Sequence, residues 1–217
     1  MSGHKLLPLL LAVTLSIGCH ARFKKFARAA DAVTVNVVVT GSPNVDLVEN
    51  GYDDGTAISA IADIATSTVA SAQSNKVRTR LMTIMQPAEV QAMVKKGAVV
   101  GIGGGPPFAT SEAPADGTIE IAVHSYGIVQ SGGGPTFYVD YGVRGYRASD
   151  NTRVYNSSVS CSDRLFSVPS TIGNIAGTIA TADHLNNMSD EEIHLVLSQV
   201  VQRCTGVLVA QMRRHAG

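Results

Sequence analysis

Residues 189–215, SDEEIHLVLSQVVQRCTGVLVAQMRRH, decide how the rest of the chain is read. Ser189 stands where a helix cap is needed, and Glu192 follows three residues on, the reciprocal pair of a capping box. Ile193, Leu197, Val200, Val201, Cys204, Val207, Leu208 and Gln211 recur at helical spacing, so the stretch predicts a long amphipathic helix. Arg213, Arg214 and His215 close it, where positive charge suits the carbonyl end. A helix with so broad an apolar face needs a sheet to lie on, and the upstream residues supply strands.

Val33 to Thr40, VTVNVVVT, reads as a strand covered on both faces. Gly41 to Gly55 reads as a polar loop, and Thr56 to Ser74 as a helix with an Ile58, Ile61, Ala62, Ala65, Val69, Ala72 stripe. Lys76 to Met85 alternates as a second strand. Pro87 opens a short helix ended by Gly97, Ala98 to Ile102 reads as a brief strand, and Gly103 to Gly117 as loop. Thr118 to Gln130 and Thr136 to Ala148 predict long strands broken by the glycines at 132–134. Ser149-Asp150-Asn151 predicts a hairpin turn, with Arg153 to Cys161 returning as partner. Val168 to Asn187 reads as loop and short helix. The expected class is α/β (α+β): a mixed sheet packed by helices and closed by the long terminal helix.

The 217 residues suit one well-cored domain, and 17 basic against 17 acidic side chains give no footprint of a nucleic-acid binder. No continuous apolar run reaches the ~18–20 residues of a spanning helix. The N-terminus has signal-peptide architecture: His4 and Lys5, an apolar core from Leu6 to Leu15, then Ser16-Ile17-Gly18-Cys19. Cysteine directly after a small residue resembles the lipobox of bacterial lipoproteins, although serine stands where leucine is usual. That resemblance implies cleavage before Cys19, lipid on its sulfur, and a division into a leader (1–18), a lipidated tether (19–31) and one periplasmic domain (32–217). An ordinary secretory leader or a short anchor is the alternative. His20, not Asp, follows the cysteine, which by the proteobacterial sorting rule implies the periplasmic side of the outer membrane. Arg22, Lys24, Lys25 and Arg28, interleaved with Phe23 and Phe26, read either as a segment lying on anionic headgroups or as a solvated tether.

The order of elements (VTVNVVV, the helix from Thr56, VRTRLMTIM, the helix after Pro87, TIEIAVHSYGIV, the hairpin FYVDYGVRGYRASDNTRVYNSS and the last helix) resembles that of periplasmic lipoproteins of the curli-secretion, penicillin-binding-protein-activator and Pel-export type. These share a fold with the TolB N-terminal domain. The resemblance covers residues 33–215 without a diagnostic motif. It implies non-enzymatic service in secretion, polysaccharide export or cell-wall synthesis, with envelope proteins or further copies of the chain as partners.

Cys161 and Cys204 form an even pair in an oxidising compartment, so they read as a disulfide fastening the last helix to the hairpin, or as two buried thiols. Closing that loop is worth roughly 4 kcal/mol. Gly101-Ile102-Gly103-Gly104-Gly105 fails as a dinucleotide loop because Pro106 takes the last glycine's place, and no Walker motif occurs. No cofactor is expected. Asn50 to Gly55 partly mimics a calcium loop but lacks the closing Glu; a looser cation site from Asp46, Glu49, Asp53 and Asp54 competes with a solvated loop. His184 and His194, with Asp183 and Glu191, lack metal-site spacing, and no metal is expected.

His124-Ser125 is the close His–Ser pair, but neighbours on an alternating strand point to opposite faces, which argues against mutual activation. On Thr136 to Ala148, Phe137, Val139, Tyr141 and Val143 share one face and Tyr138, Asp140, Arg144 and Tyr146 the other. Tyr138, Arg144 and Tyr146 have the composition of a partner interface, or of a sheet face under the protein's own helix. Three functions follow: a non-enzymatic envelope lipoprotein acting by protein contact, a periplasmic ligand-binding protein rimmed by the glycine-rich loops at 101–117 and 131–135, and an envelope hydrolase centred on His124.

Overall fold

The computed structural model describes residues 21–47, 75–112, 115–131, 134–167 and 174–217. In chain order these form α1 (21–29), β1 (Ala32–Val39), β2 (Pro43–Asp46), α2 (75–84), α3 (Pro87–Gly103), β3 (Ala109–Thr110), β4 (Gly117–Ser131), β5 (Gly134–Arg147), β6 (Arg153–Arg164), α4 (Asn174–Asn187) and α5 (Asp190–Ala216). The class is α+β, with one six-stranded mixed sheet in the order β3-β1-β4-β5-β6 and β2 also against β4. β1 and β2 run parallel to successive halves of β4, and β4, β5 and β6 form an antiparallel meander.

β4 carries a bulge at His124, where its register to β5 shifts between Val123 and Ser125. The same level is where β1 ends: the N–H groups of Thr40 and Gly41 both donate to Val123 O, at 2.9 and 3.3 Å. A β-carbon on Gly41 would collide with the His124 carbonyl, so only glycine fits beside the bulge.

Inward side chains of the sheet meet the helices in a single core. Ile119, Ile121, Val123, Phe137, Val139, Tyr141 and Val143 are buried from the sheet, and Val90, Val94, Leu197, Val201, Cys204 and Leu208 from α3 and α5. On α5 the apolar stripe drifts relative to the expected one. Thr205, Val209 and Met212 are inside, while Val207 is exposed. Its start is a capping box, with Ser189 Oγ accepting from Glu192 N at 3.1 Å and Glu192 Oε2 accepting from Ser189 N at 2.7 Å. Among the described helices α5 is the one long and apolar enough to cross a bilayer, although no continuous apolar run predicts it. Its apolar side is nevertheless occupied by the core. Cys161 and Cys204 are joined as a disulfide closing a sequence separation of 43, which ties α5 to β6.

Several expectations change. Residues 75–84 are helical, not a strand, with Val77, Leu81 and Met85 inward. Ala98 to Ile102 continues α3, because Gly97 packs tightly against Thr205 of α5 instead of ending the helix. Part of the expected loop after Gly41 is β2, and part of the loop before Gly117 is β3. β1 buries Val33, Val35 and Val37 but leaves Asn36 and Val38 exposed, so the described residues cover it on one face only. The predicted helix at Thr56 to Ser74 lies outside the described residues.

Residues 21–29, expected within a tether, form a helix that belongs to the core. Phe23 is fully buried, with its ring centroid 4.1 Å from Tyr155 and 6.0 Å from Phe108, and Phe26 lies 5.7 Å from Phe108. The aromatics between the cations therefore face the protein, so the segment is packed on the domain and is not a solvated tether.

Candidate functional site: the open face of the sheet

The described helices bury one face of the sheet and leave side chains on the other at least partly exposed. β5 sets the pattern, with Tyr138, Asp140, Arg144 and Tyr146 alternating against buried Phe137, Val139, Tyr141 and Val143. The β4 register places Glu120 opposite Arg144, Thr118 opposite Tyr146, and Ser125 opposite Asp140. From β6, Asn156 faces Arg144, Ser160 faces Asp140 and Ser162 faces Tyr138. A row of small polar residues thus borders the aromatic and charged ones.

Two groups of contacts organise this face. At one end Arg144 Nη1 meets Glu120 Oε1 at 3.4 Å, with side chains 49% and 36% exposed. A cross-strand pair so wet contributes little stability and leaves the guanidinium able to exchange partners. At the other end Asp140 gathers hydroxyls. Ser125 Oγ donates to Asp140 Oδ2 at 2.5 Å, and Asn44 Nδ2 donates to Tyr138 Oη at 3.3 Å. The Ser125 hydroxyl, then that of Ser160, hold the Asp140 carboxyl below its ordinary value of 3.8 against the opposing effect of burial, and His124 adds the smallest lowering effect. Hydrogen bonds to the charged form favour it.

His124 and Ser125 were expected on opposite faces. The bulge cancels that alternation and brings Ser125 onto the face of Asp140. The His124 ring lies over Gly142, where any β-carbon would strike it, and its Nδ1 is 3.5 Å from Thr40 Oγ1. A hydrolytic triad needs the imidazole between nucleophile and carboxylate. Here the serine hydroxyl goes directly to the carboxylate and the imidazole faces a threonine, so the geometry gives no proton relay. A bulge leaves no mark in a strand pattern as regular as TIEIAVHSYGIV.

The other sequence candidates are dispersed. Tyr141 and Tyr155 belong to the core; burial pushes Tyr141 up to about 12, against a smaller effect of its contact with Thr205. His184 lies tilted against Phe166 with centroids 4.5 Å apart, and His194 sits 3.6 Å from Glu89. Among the described residues no three His, Cys, Asp or Glu side chains converge as metal ligands. Of Asp46, Glu49, Asp53 and Asp54 only Asp46 is a described residue. The glycines at 101 and 103 are helical, and the space beside Ile102, Pro107, Phe108 and Met212 is about 10 Å³, room for roughly one water. Wider clefts border the same 101–117 stretch elsewhere, one of about 440 Å³ beside Thr110, Ser111 and Glu112 and one of about 570 Å³ beside Ala115 and Asp116.

No protein-family model matches the chain, and no curated protein sequence does. Among solved structures it is similar to protein XCC0632 from Xanthomonas campestris, of the family DUF330, at 14% identity over 86% of this chain and 85% of that one, with a TM-score of 0.46. It is similar to the hypothetical protein CT253 from Chlamydia trachomatis at 10% identity, covering 79% of this chain and 97% of that one, with a TM-score of 0.34. Lipoprotein GNA1162 from Neisseria meningitidis matches at 14% identity over 73% of this chain and 99% of that one, with a TM-score of 0.26.

Proposed function

We propose that the chain is a non-enzymatic envelope lipoprotein, anchored through Cys19 on the periplasmic side of the outer membrane and acting by protein contact through the open face of its sheet. The observation that carries the proposal is that face. Tyr138 and Tyr146 are half-buried beside an exposed Arg144 on a rigid meander, the side-chain types enriched where proteins meet. The small-residue and cysteine sequence Ser16-Ile17-Gly18-Cys19 supports the anchor, and the Cys161–Cys204 bridge suits an oxidising compartment. The partner is an envelope protein or a further copy of this chain.

The test is the size of the native protein extracted from membranes in mild detergent, with co-purifying proteins identified. A stoichiometric partner or a large homo-oligomer is expected, and Tyr138→Ala with Arg144→Ala should release it without unfolding the domain. A monomer without partners, or an assembly indifferent to both substitutions, rejects the role of this face. Retention of acyl label in Cys19→Ser rejects the anchor.

A further inference from the structure

Away from the sheet face, the most segregated charge in the molecule lies on α1. Arg22, Lys24, Lys25 and Arg28 fall in one run, RFKKFAR, without an acid. Since the whole chain balances 17 basic with 17 acidic residues, everything outside that run is net acidic. Phe23, Phe26, Ala27 and Ala30 are buried while Arg22, Lys25, Arg28 and Ala29 are exposed. At 3.6 residues per turn the two sets occupy opposite sides of the helix. No ion pair engages any of the four cations among the described residues.

The cationic side runs into a cleft of about 570 Å³ with Lys25 and Arg147 on its walls and Phe26, Ala29, Ala30 and Ala148 lining the rest. Asp116, also in that lining, is turned onto the main chain, accepting the N–H groups of Asp31 at 2.8 Å and Ala32 at 3.1 Å. Asp150 engages Arg147 at 3.2 Å in an exposed pair that a phosphate can displace.

We propose that this side of α1, with the cleft beside it, docks on an anionic phospholipid membrane, holding headgroup phosphates against Arg22, Lys25, Arg28 and Arg147. The inference rests on the anchored reading above. Cys19 precedes Arg22 by three residues, so at most ~11 Å of extended chain separates an anchor there from the first cation. Because the phenylalanines face the core, attachment by α1 is electrostatic, not insertion of an apolar side. Each cation near an anionic surface adds about fivefold to partitioning, and the effect fades once salt shortens the Debye length.

The test uses the native full protein, reconstituted in phosphatidylcholine vesicles and in vesicles of equal phosphatidylcholine and phosphatidylglycerol. Acetylation rates of Lys24 and Lys25 are read by mass spectrometry against exposed Lys95 and Lys96. Lys25 should react at least about fivefold more slowly on the anionic vesicles, with protection lost at high salt and in Arg22→Gln/Arg28→Gln. Equal Lys25 rates in vesicle-bound protein overturn the docking surface. Failure to float with phosphatidylcholine vesicles counts against the anchor instead. In that case flotation with the anionic vesicles alone supports docking by α1, and flotation with neither rejects it.

Discussion

Asp140 shows how a single side chain records its surroundings. Its carboxylate is held by Ser125 and Ser160 hydroxyls, so the folded protein favours the charged form more than the unfolded chain does. The contribution to stability is therefore complete above the ordinary value of 3.8 and is lost as pH falls through the lower folded value. NMR titration should place Asp140 below 3.8, and Ser125→Ala should raise it, since that removes the largest of the lowering effects. An Asp140 titration unmoved by Ser125→Ala would mean that the short Ser125–Asp140 bond does not persist in solution. The alternation of Tyr138, Asp140, Arg144 and Tyr146 against Phe137, Val139, Tyr141 and Val143 was legible from period two alone. The Ser125–Asp140 contact was not. It depends on one extra residue in β4, and that residue answers to Gly41 and Thr40, more than eighty positions upstream in contact terms.

Among the elements, α5 and α2 mark the limits of periodic reading. α5 announces itself because its stripe runs for several turns behind a capping box, so the helical period has no competitor. α2 reads as a strand in the sequence because Val77, Leu81 and Met85 recur every four residues, a spacing that satisfies both period two and the helical period. The residues that separate the two are Thr79 and Thr83, inward on a strand but exposed here, each donating its hydroxyl to the carbonyl four residues back at 3.0 Å. Arg80 then fixes α2 to the corner between α4 and α5, donating to Leu185 O at 2.9 Å and Met188 O at 2.6 Å. Further along α5, the disulfide ties the same helix covalently to β6. Cys161→Ala with Cys204→Ala should lower the stability measured by urea unfolding by about 2–4 kcal/mol. A loss near zero would show that α5 is held by packing alone and that the bridge adds nothing to it.

At the scale of the whole molecule, the domain begins earlier than its sequence suggested. Composition placed the boundary near Ala32, since a run of cations broken by two phenylalanines looks like a tether when nothing shows where the rings point. In the fold those rings complete an aromatic cluster with Phe108 and Tyr155, and Tyr155 in turn meets His215 at the end of α5 at 3.0 Å. The first and last helices thus share one end of the core, and the chain closes on itself there. Losing a buried Phe costs about 3–5 kcal/mol, and two such losses approach the 5–15 kcal/mol that hold an ordinary domain together. A chain starting at Ala32 should therefore unfold at much lower urea, or fail to show a cooperative transition, relative to one starting at His20. Phe23→Ala in the longer chain should fall between them, while Lys25→Ala should match the parent, because only the former reaches into the core. Equal midpoints for both starting points would return α1 to the role of a tether. They would also remove the fixed geometry on which its cationic side depends.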